Sequence, residues 1–202
     1  MSKTRTLAEI PPLVLHLAPV IEVSEQQFFE LCQLNRDLRI ERTSQGDLVI
    51  MPPTRGETGR MNFELTALFG RCVHADGSGV GFDPSTGFTL RNGATRSQDL
   101  AWVKRQRWEA LTQEQRRGFA PLCPDFVLEL RSPSDSLAYV QAKMREYLDN
   151  GAQLGWLIDP IEKKVYVYRP QAPVECLDDP PTLSGDPVLP GFVIDLRRVW
   201  NS

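Results

Sequence analysis

Two carboxylates and one lysine are the residues of this chain that could do chemistry together. Glu129 lies inside the apolar run P-D-F-V-L-E-L-R, and Asp99 begins the run D-L-A-W-V. A charge inside an apolar strand is costly without a partner, so Glu129 predicts a metal ion or a lysine beside it. Asp99 and Glu129 on adjacent strands can hold Mg²⁺ or Mn²⁺, because these cations prefer hard oxygen ligands.

Lys143 completes a set of groups suited to metal-assisted hydrolysis of a phosphodiester. A bound divalent cation polarises a phosphate and lowers the pKa of a coordinated water molecule. A nearby lysine stabilises the developing charge or orients that water. The same residue types also form structural ion pairs, so spacing alone leaves a purely structural interpretation open.

One strand–helix–strand unit is expected to carry Glu129. Residues 126–130 alternate as a strand does, which places Glu129 and Val127 on one face and Phe126 on the other. Residues 154–158 predict a second buried strand. Together they indicate a βαβ-like or mixed-sheet unit.

The helix between these strands is expected to present Lys143. Ser134 or Asp135 is the predicted N-cap, because a short side-chain oxygen satisfies free backbone N–H groups. Lys143 lies at the edge of the inward face, where its amine can reach back toward Glu129. That inward face is predicted to comprise Leu137, Val140, Met144, Tyr147 and Leu148.

The rest of the chain is predicted to surround this unit with further elements. A helix begins after Ser24, which has the character of an N-cap. Residues 38–43 and 47–51 flank a glycine turn and predict a β-hairpin. A long helix is expected over residues 57–73, and residues 104–119 are expected to form a charged surface excursion.

Composition indicates one globular domain. The chain has 202 residues, of which 41% are hydrophobic and 24% are charged, and its formal net charge is −3. This balance excludes a global basic field that would coat nucleic acid, without excluding a local basic patch. Residues 1–22 contain three prolines and are expected to form an N-terminal arm, and residues 23–202 a single domain.

The cysteines and the N-terminus indicate a cytoplasmic protein. Cys32, Cys72, Cys123 and Cys176 are far apart, which predicts reduced and mostly buried thiols. The apolar stretch over residues 13–17 is too short for a signal sequence or a membrane span, so no membrane partner is expected.

The order of these motifs resembles the Uma-two family of bacterial proteins. The resemblance rests on R-S-Q-D-L-A-W-V, P-D-F-V-L-E-L-R-S-P-S-D and A-K-M-R-E-Y-L-D-N-G-A-Q-L-G-W-L-I-D-P, and it covers roughly residues 25–200. This family belongs to the restriction-endonuclease-like PD-(D/E)xK superfamily. The resemblance implies an α/β (α+β) restriction-endonuclease-like core with a mixed central β-sheet flanked by helices. It also implies hydrolysis of nucleic acid that depends on Mg²⁺ or Mn²⁺.

The resemblance assigns the two acidic roles to Asp99 and Glu129. Asp99 stands for the first acidic residue of the superfamily motif, although Gln98 replaces the usual proline. Glu129 matches the second acidic position. Both residues are therefore expected to be metal ligands and catalytic residues.

The resemblance departs from the motif at the lysine. Arg131 occupies the position two residues after Glu129, and arginine stays protonated and cannot act as a base. The lysine role is accordingly assigned to Lys143. Either Glu57 or Glu64 resembles the extra acidic group that many of these nucleases bring from an early helix. Arg131 is expected to pair with Glu129 or to contact phosphate.

The leading hypothesis is a metal-dependent endonuclease that acts on DNA and forms a homodimer, because two strands require two sites. Two other classes stay open. One is a catalytically inactive nuclease fold that serves as a binding or interaction module, which the departures at Gln98 and Arg131 favour. The other is an enzyme that acts on a small molecule with the same carboxylates.

Overall fold

Two β-sheets flanked by helices form the framework of the structure, a computed structural model that describes residues 11–200. The strands of the first sheet are β1 (Leu13–Leu15), β2 (Arg39–Arg42), β3 (Leu48–Met51), β5 (Gly87–Thr89) and β6 (Thr95–Ser97). Neighbouring strands are antiparallel and follow the order β1-β3-β2-β6-β5. This sheet contains the predicted hairpin, which β2 and β3 form.

The second sheet has six strands and mixed direction. Its strands are β4 (Gly79–Phe82), β7 (Leu100–Lys104), β8 (Phe126–Leu130), β9 (Leu154–Asp159), β10 (Lys164–Tyr168) and β11 (Glu175–Asp178). The order is β11-β10-β9-β8-β7-β4, in which β8 and β9 are parallel and the other neighbours are antiparallel. A separate antiparallel pair follows near the C-terminus, β12 (Thr182–Ser184) with β13 (Val193–Asp195).

Helices lie on both faces of the six-stranded sheet. The helices are α1 (Glu25–Leu34), α2 (Gly56–Asp76), α3 (Arg105–Glu109), α4 (Gln113–Arg117), α5 (Leu137–Asp149) and α6 (Arg197–Trp200). Helix α5 joins the parallel strands β8 and β9, as the predicted strand–helix–strand unit requires. The predicted surface excursion over residues 104–119 contains the two short helices α3 and α4.

The alternation predicted for β8 is confirmed by the packing of its two faces. Val127 packs with Met144 and Tyr147 of α5 on one side of the sheet. Phe126 packs on the other side with Phe69 of α2. Each face of β8 is therefore covered by a helix, and all five residues of the strand are buried.

The N-cap of α5 differs from the prediction. The cap is Ser136, whose Oγ accepts the backbone N–H of Tyr139 at 3.2 Å. Asp135 instead belongs to a turn that precedes the helix. Its carboxylate accepts the backbone N–H of Ser132 at 3.0 Å and the Ser132 hydroxyl at 2.6 Å. The Ser132–Asp135 turn thus delays the start of the helix.

The chain passes from the first sheet to the second through Gln98 and Asp99. Strand β6 ends at Ser97 and β7 begins at Leu100, so two residues make the crossing. Asp99 consequently lies where the two sheets meet. This position brings residues from both sheets within reach of its carboxylate.

The predicted arm is described only from residue 11 onward, and residues 1–10 lie outside the described part of the chain. In the described part, β1 pairs with β3 at the edge of the first sheet. No helix among the described residues is long and apolar enough to cross a membrane. The four cysteines are free thiols, but Cys176 is exposed and of the four only Cys123 is fully buried.

Candidate active site

Asp99, directly before β7, lies beside Glu129 of the neighbouring strand β8. Leu100 pairs with Leu128 in the antiparallel register of β7 and β8, so the next position brings Asp99 level with Glu129. Asp99 Oδ2 accepts the backbone N–H of Leu130 at 2.8 Å, which fixes the first carboxylate against the strand of the second. Both residues are buried, at 8% and 6% exposure, and both line one cavity of about 150 Å³.

Two donors from other elements face Asp99 across the cavity. The Nδ2 of Asn62, on α2, lies 3.4 Å from Asp99 Oδ1. The Nη1 of Arg39, on β2, lies 3.7 Å from the same oxygen, and its Nη2 donates to the carbonyl of Ser97 at 2.8 Å. Both contacts to Oδ1 are long, so that oxygen is held more loosely than Oδ2.

Lys143 reaches the carboxylates from α5, and its amine is buried. Its Nζ lies 2.9 Å from Glu129 Oε1, as the sequence predicts. It also donates to Glu41 Oε1 at 2.9 Å and to the carbonyl of Ser97 at 3.0 Å. Although burial disfavours the charged form, Glu129 and Glu41 raise the pKa of Lys143 above its ordinary value. Lys143 is therefore a fixed cation.

Glu129 is held by hydrogen bonds on one oxygen. Oε1 accepts the Tyr147 hydroxyl at 2.9 Å, in addition to its contact with Lys143. Within residues 11–200, the hydrogen bonds and ion pairs of Glu129 all use Oε1, which leaves Oε2 for a ligand. Burial raises the pKa of Glu129 to about 7 against the opposing charge of Lys143.

Glu41 is a third carboxylate at the site, and it was not predicted. It is fully buried on β2 and accepts the backbone N–H of Ser97 through Oε1 at 3.1 Å. Its Oε2 lies 3.1 Å from Nη1 of Arg96. Burial opposes its ionisation, but Lys143, Arg96 and Arg39 lower its pKa to about 2.

The sequence gives only a weak signal for Glu41. The segment R-I-E-R alternates charged and apolar residues, which is typical of a strand with one solvent-facing side. In the structure that side carries Arg39 and Glu41 and faces the crossing between the sheets. Only the contact of Glu41 with Lys143 of α5, far away in the sequence, reveals it.

Arg131 does not pair with Glu129 and does not line the cavity, which corrects the expected pairing. Its Nη1 lies 2.7 Å from Asp159 Oδ2 on β9, and its Nε donates to the carbonyl of Asp135. Asp159 is fully buried at the end of β9, where it draws the guanidinium away from the cavity. The position that carries lysine in the superfamily motif is structural in this chain.

Glu57 and Glu64, the two candidates for an extra acidic group, are not among the residues that line the cavity. Glu57 is exposed, and Glu64 is partly buried. From the same helix, Thr58 and Asn62 line the cavity instead. Thr58 and Asn62 are four residues apart and therefore share one face of α2. Glu57, one residue before Thr58, points about 100° away from that face.

The donor set of the cavity fits a hard divalent cation held by two carboxylates. Within residues 11–200, no group of three or more His, Cys, Asp or Glu side chains could hold a metal. Mg²⁺ does not require such a group, because it is commonly bound through one or two carboxylates and keeps several water molecules. Asp99 and Glu129 provide those carboxylates, and neither histidine nor cysteine is among the described residues that line the cavity.

The chain is similar to a known protein family and to a solved structure. A family model described as "Uma2: Putative restriction endonuclease" matches residues 25–197. Among solved structures, the chain is similar to one described as "a putative nuclease belonging to DUF820 from Anabaena variabilis ATCC 29413", with a TM-score of 0.68 and 22% sequence identity. That match covers 80% of this chain and 89% of the other. A comparison with curated proteins gave no match.

The two matches address different properties of the chain. At 22% identity the solved structure bears on the fold, and it confirms a mixed α/β architecture with helices around multi-stranded sheets. The family model spans the elements from α1 to the start of α6, including every residue of the cavity. The chain therefore belongs to the Uma2 family and has a restriction-endonuclease-like fold.

Proposed function

We propose that this protein is a metal-dependent endonuclease that hydrolyses phosphodiester bonds of DNA. The observation that carries the proposal is that Asp99, Glu129 and Lys143 line one cavity, from the crossing between the sheets, a strand and a helix. The membership of the Uma2 family supports the nuclease class. The divalent cation is an inference from the chemistry of the site, and the family description as a restriction endonuclease favours DNA.

Asp99 and Glu129 would hold Mg²⁺ or Mn²⁺. When bound, such a cation supplies Lewis-acid polarisation of the phosphate and a water molecule of lowered pKa. The protein fixes both carboxylates in advance, through the Leu130 N–H and the Tyr147 hydroxyl. This arrangement limits the reorganisation that is needed when a substrate arrives.

Lys143 contributes charge rather than proton transfer. Its ammonium donates two hydrogen bonds and forms an ion pair with Glu129, and its pKa is raised, so it is a poor acceptor for a proton from water. A fixed cation in a site of low dielectric stabilises negative charge that develops on a phosphate. Arg39 and Asn62, which also line the cavity, add donors that can bind phosphate oxygens.

A homodimer would suit cleavage of both strands of a duplex. Apolar side chains on the N-terminal part of the described chain are exposed, among them Leu13, Val20 and Ile21. Exposed apolar residues of this kind favour association with another protein surface. We include the homodimer in the proposal, and its test is the mass of the protein in solution by light scattering.

A specific observation favours a second candidate, a nuclease fold that binds without cleaving. The protein supplies its own cations to the carboxylates, because Lys143 pairs with Glu129 and Glu41, and Arg39 lies beside Asp99. A site balanced in this way can persist as a structural ion network. Metal dependence distinguishes the two candidates.

The test is cleavage of supercoiled plasmid, single-stranded DNA, branched DNA and RNA with Mg²⁺ or Mn²⁺ and with a chelator. We expect wild type and the control Glu64→Gln to cut DNA only with metal, and Glu129→Gln and Lys143→Gln to be inactive while folded. Glu64 is a matched control because it lies on α2 outside the cavity. Absence of cutting by wild type on every substrate would favour the binding module.

A further inference from the structure

The position of the Lys143 amine is set by three acceptors from three elements. They are Glu129 Oε1 on β8, Glu41 Oε1 on β2 and the carbonyl of Ser97 on β6, at 2.9, 2.9 and 3.0 Å. An ammonium group has three N–H donors and no acceptor. Hydrogen bonds to Glu41 and Ser97 use two of these donors, and the ion pair with Glu129 holds the amine from a third element.

A lysine on a helix needs such fixing more than a lysine on the catalytic strand. A residue two positions after Glu129 would share its face of β8 and point to the same site, but Arg131 holds that position and pairs with Asp159. Lys143 instead spans the gap from α5 on a flexible four-carbon side chain, whose rotamer freedom opposes a single geometry. The missing constraint has to come from elsewhere.

Glu41 is the group that supplies this constraint. It is fully buried, and its carboxylate is itself held on both oxygens, by the Ser97 N–H on Oε1 and by Arg96 on Oε2. Of the two carboxylates that bind the amine, Glu129 also faces the cavity, whereas Glu41 is absent from the cavity lining. Glu41 thus remains available to Lys143 when a ligand engages Glu129.

We propose that Glu41 is a positioning residue of the site, which holds the Lys143 ammonium beside Glu129 from the opposite sheet. The consequence for cleavage rests on the proposed nuclease function. The claim that Glu41 holds the amine does not rest on that function. The position of the amine and its effect on cleavage can therefore be tested separately.

The ion network around Glu41 provides its own matched control. Arg96 bridges Glu41 to Glu146 Oε2, which its Nε approaches at 2.6 Å. Glu146 lies on α5 three residues after Lys143 but contacts neither Lys143 nor the cavity in the described contacts. Glu146→Gln therefore weakens the support of Arg96 and leaves the three acceptors of Lys143 intact.

The first experiment measures acylation of Lys143 by an amine-reactive reagent, followed by peptide mass spectrometry. The exposed Lys104 in the same protein is the internal reference. We expect slow labelling in wild type and Glu146→Gln, and labelling about tenfold faster in Glu41→Gln. Loss of a hydrogen bond to a charged group shifts the equilibrium between the held and the released amine by at least about this factor. Glu41→Asp, with a carboxylate one methylene shorter, should fall between them.

Two results would overturn the proposal in this experiment. One is a labelling rate of Lys143 in folded Glu41→Gln that equals the wild-type rate. The other is a labelling rate that rises in Glu146→Gln as much as in Glu41→Gln. If Glu41→Gln does not fold, as judged by circular dichroism, Glu41→Asp decides in its place by the same comparison. None of these results depends on cleavage.

The second experiment measures DNA cleavage by the same variants with Mn²⁺. Displacing a group that acts in the transition state lowers kcat and leaves KM unchanged, so this pattern is expected for Glu41→Gln, with partial recovery in Glu41→Asp. Glu146→Gln should retain the wild-type kcat. Equal losses in Glu41→Gln and Glu146→Gln would assign Glu41 to the fold alone. If wild type does not cut, the nuclease proposal fails and the labelling result still decides whether Glu41 holds Lys143.

Discussion

Asp99 Oδ2 accepts the backbone N–H of Leu130 at 2.8 Å, so the first carboxylate of the site is fixed to the strand that carries the second. The bond lies at the crossing between the two sheets, directly beside Glu129 in the register of β7 and β8. It leaves Asp99 Oδ1 directed to the long contacts with Arg39 and Asn62. Oδ2 therefore maintains the structure, and Oδ1 is the oxygen that is held more loosely.

Asp99→Asn is expected to abolish stabilisation by Mn²⁺ and to preserve the fold. The asparagine carbonyl can still accept the Leu130 N–H, but the charge that attracts a cation is lost. A ligand at a hundred times its Kd adds about 2.7 kcal/mol to the free energy of unfolding. For a chain of this length that is a rise in Tm of roughly 5–10 °C. Wild type should show this rise and Asp99→Asn should not, in thermal unfolding with and without Mn²⁺.

The control for this prediction is Glu64→Gln, which removes a carboxylate outside the cavity. It should retain the full rise in Tm with Mn²⁺. An equal rise in Asp99→Asn would show that the cation binds elsewhere on the protein.

Tyr147→Phe should lower the free energy of unfolding by about 1.5–3 kcal/mol, the range for a hydrogen bond to a charged group. The tyrosine is fully buried and its hydroxyl donates to Glu129 Oε1 at 2.9 Å, while its ring packs with Met144 and would be retained. Urea denaturation at a pH well above 7, where Glu129 is ionised, measures the difference.

Tyr139→Phe, on the same helix, is the matched control. The Tyr139 hydroxyl is buried and has no hydrogen-bond partner among the described residues. Its removal should be neutral or stabilising, because an unsatisfied polar group is lost. A cost as large as that of Tyr147→Phe would mean that the ring environment, and not the bond to Glu129, explains the effect.

The sequence predicts much of the site because its central unit is local. Alternation in β8 and helical spacing in α5 place Glu129 and Lys143 toward each other, and the structure confirms their contact at 2.9 Å. Asp99 is predicted because it begins the apolar run that precedes β8 in the sequence. These inferences need only the periods of a strand and a helix and the pairing of neighbouring strands.

The sequence does not predict Glu41 or the orientation of Arg131, because both depend on long-range packing. Glu41 meets Lys143 only where the first sheet approaches α5, a contact between residues 102 positions apart. Arg131 is drawn to Asp159 by the parallel register of β8 and β9, which no local period encodes. Each contact joins opposite charges that only the folded chain brings together, Glu41 with Lys143 and Arg131 with Asp159.

Arg131→Met is expected to destabilise the protein by about 3–5 kcal/mol, because it leaves the buried carboxylate of Asp159 without its cation. Arg131→Met combined with Asp159→Asn should recover part of this loss, since no charge is then left unpaired. Chemical denaturation of the four proteins forms a double-mutant cycle. Additive effects in the cycle would contradict a direct pair.

Arg131→Lys tests whether this residue can contribute to DNA cleavage. A lysine at this position restores the superfamily motif in sequence, but the structure directs the side chain to Asp159 and away from the cavity. We therefore expect no gain in DNA cleavage relative to wild type. A gain, or rescue of Lys143→Gln by Arg131→Lys, would show that the side chain can turn into the cavity.

Glu129 should make the stability of the protein depend on pH between about 4.5 and 7. Burial raises its pKa from 4.5 to about 7, so in this window the native state holds a proton that the unfolded chain has lost. A native state that binds more protons loses stability as the pH rises. The contribution of Glu129 is therefore most favourable below pH 4.5 and is lost as the pH passes 7, by roughly 3 kcal/mol in all.

Glu129→Gln carries the uncharged form at every pH and should escape this loss. Relative to wild type, its free energy of unfolding should rise by roughly 3 kcal/mol between pH 4.5 and pH 8, as measured by urea denaturation without metal. Glu64→Gln corrects for the removal of a carboxylate elsewhere on the protein. A difference between Glu129→Gln and wild type that stays constant with pH, or that falls, would mean that the Lys143 charge outweighs burial and keeps Glu129 ionised throughout.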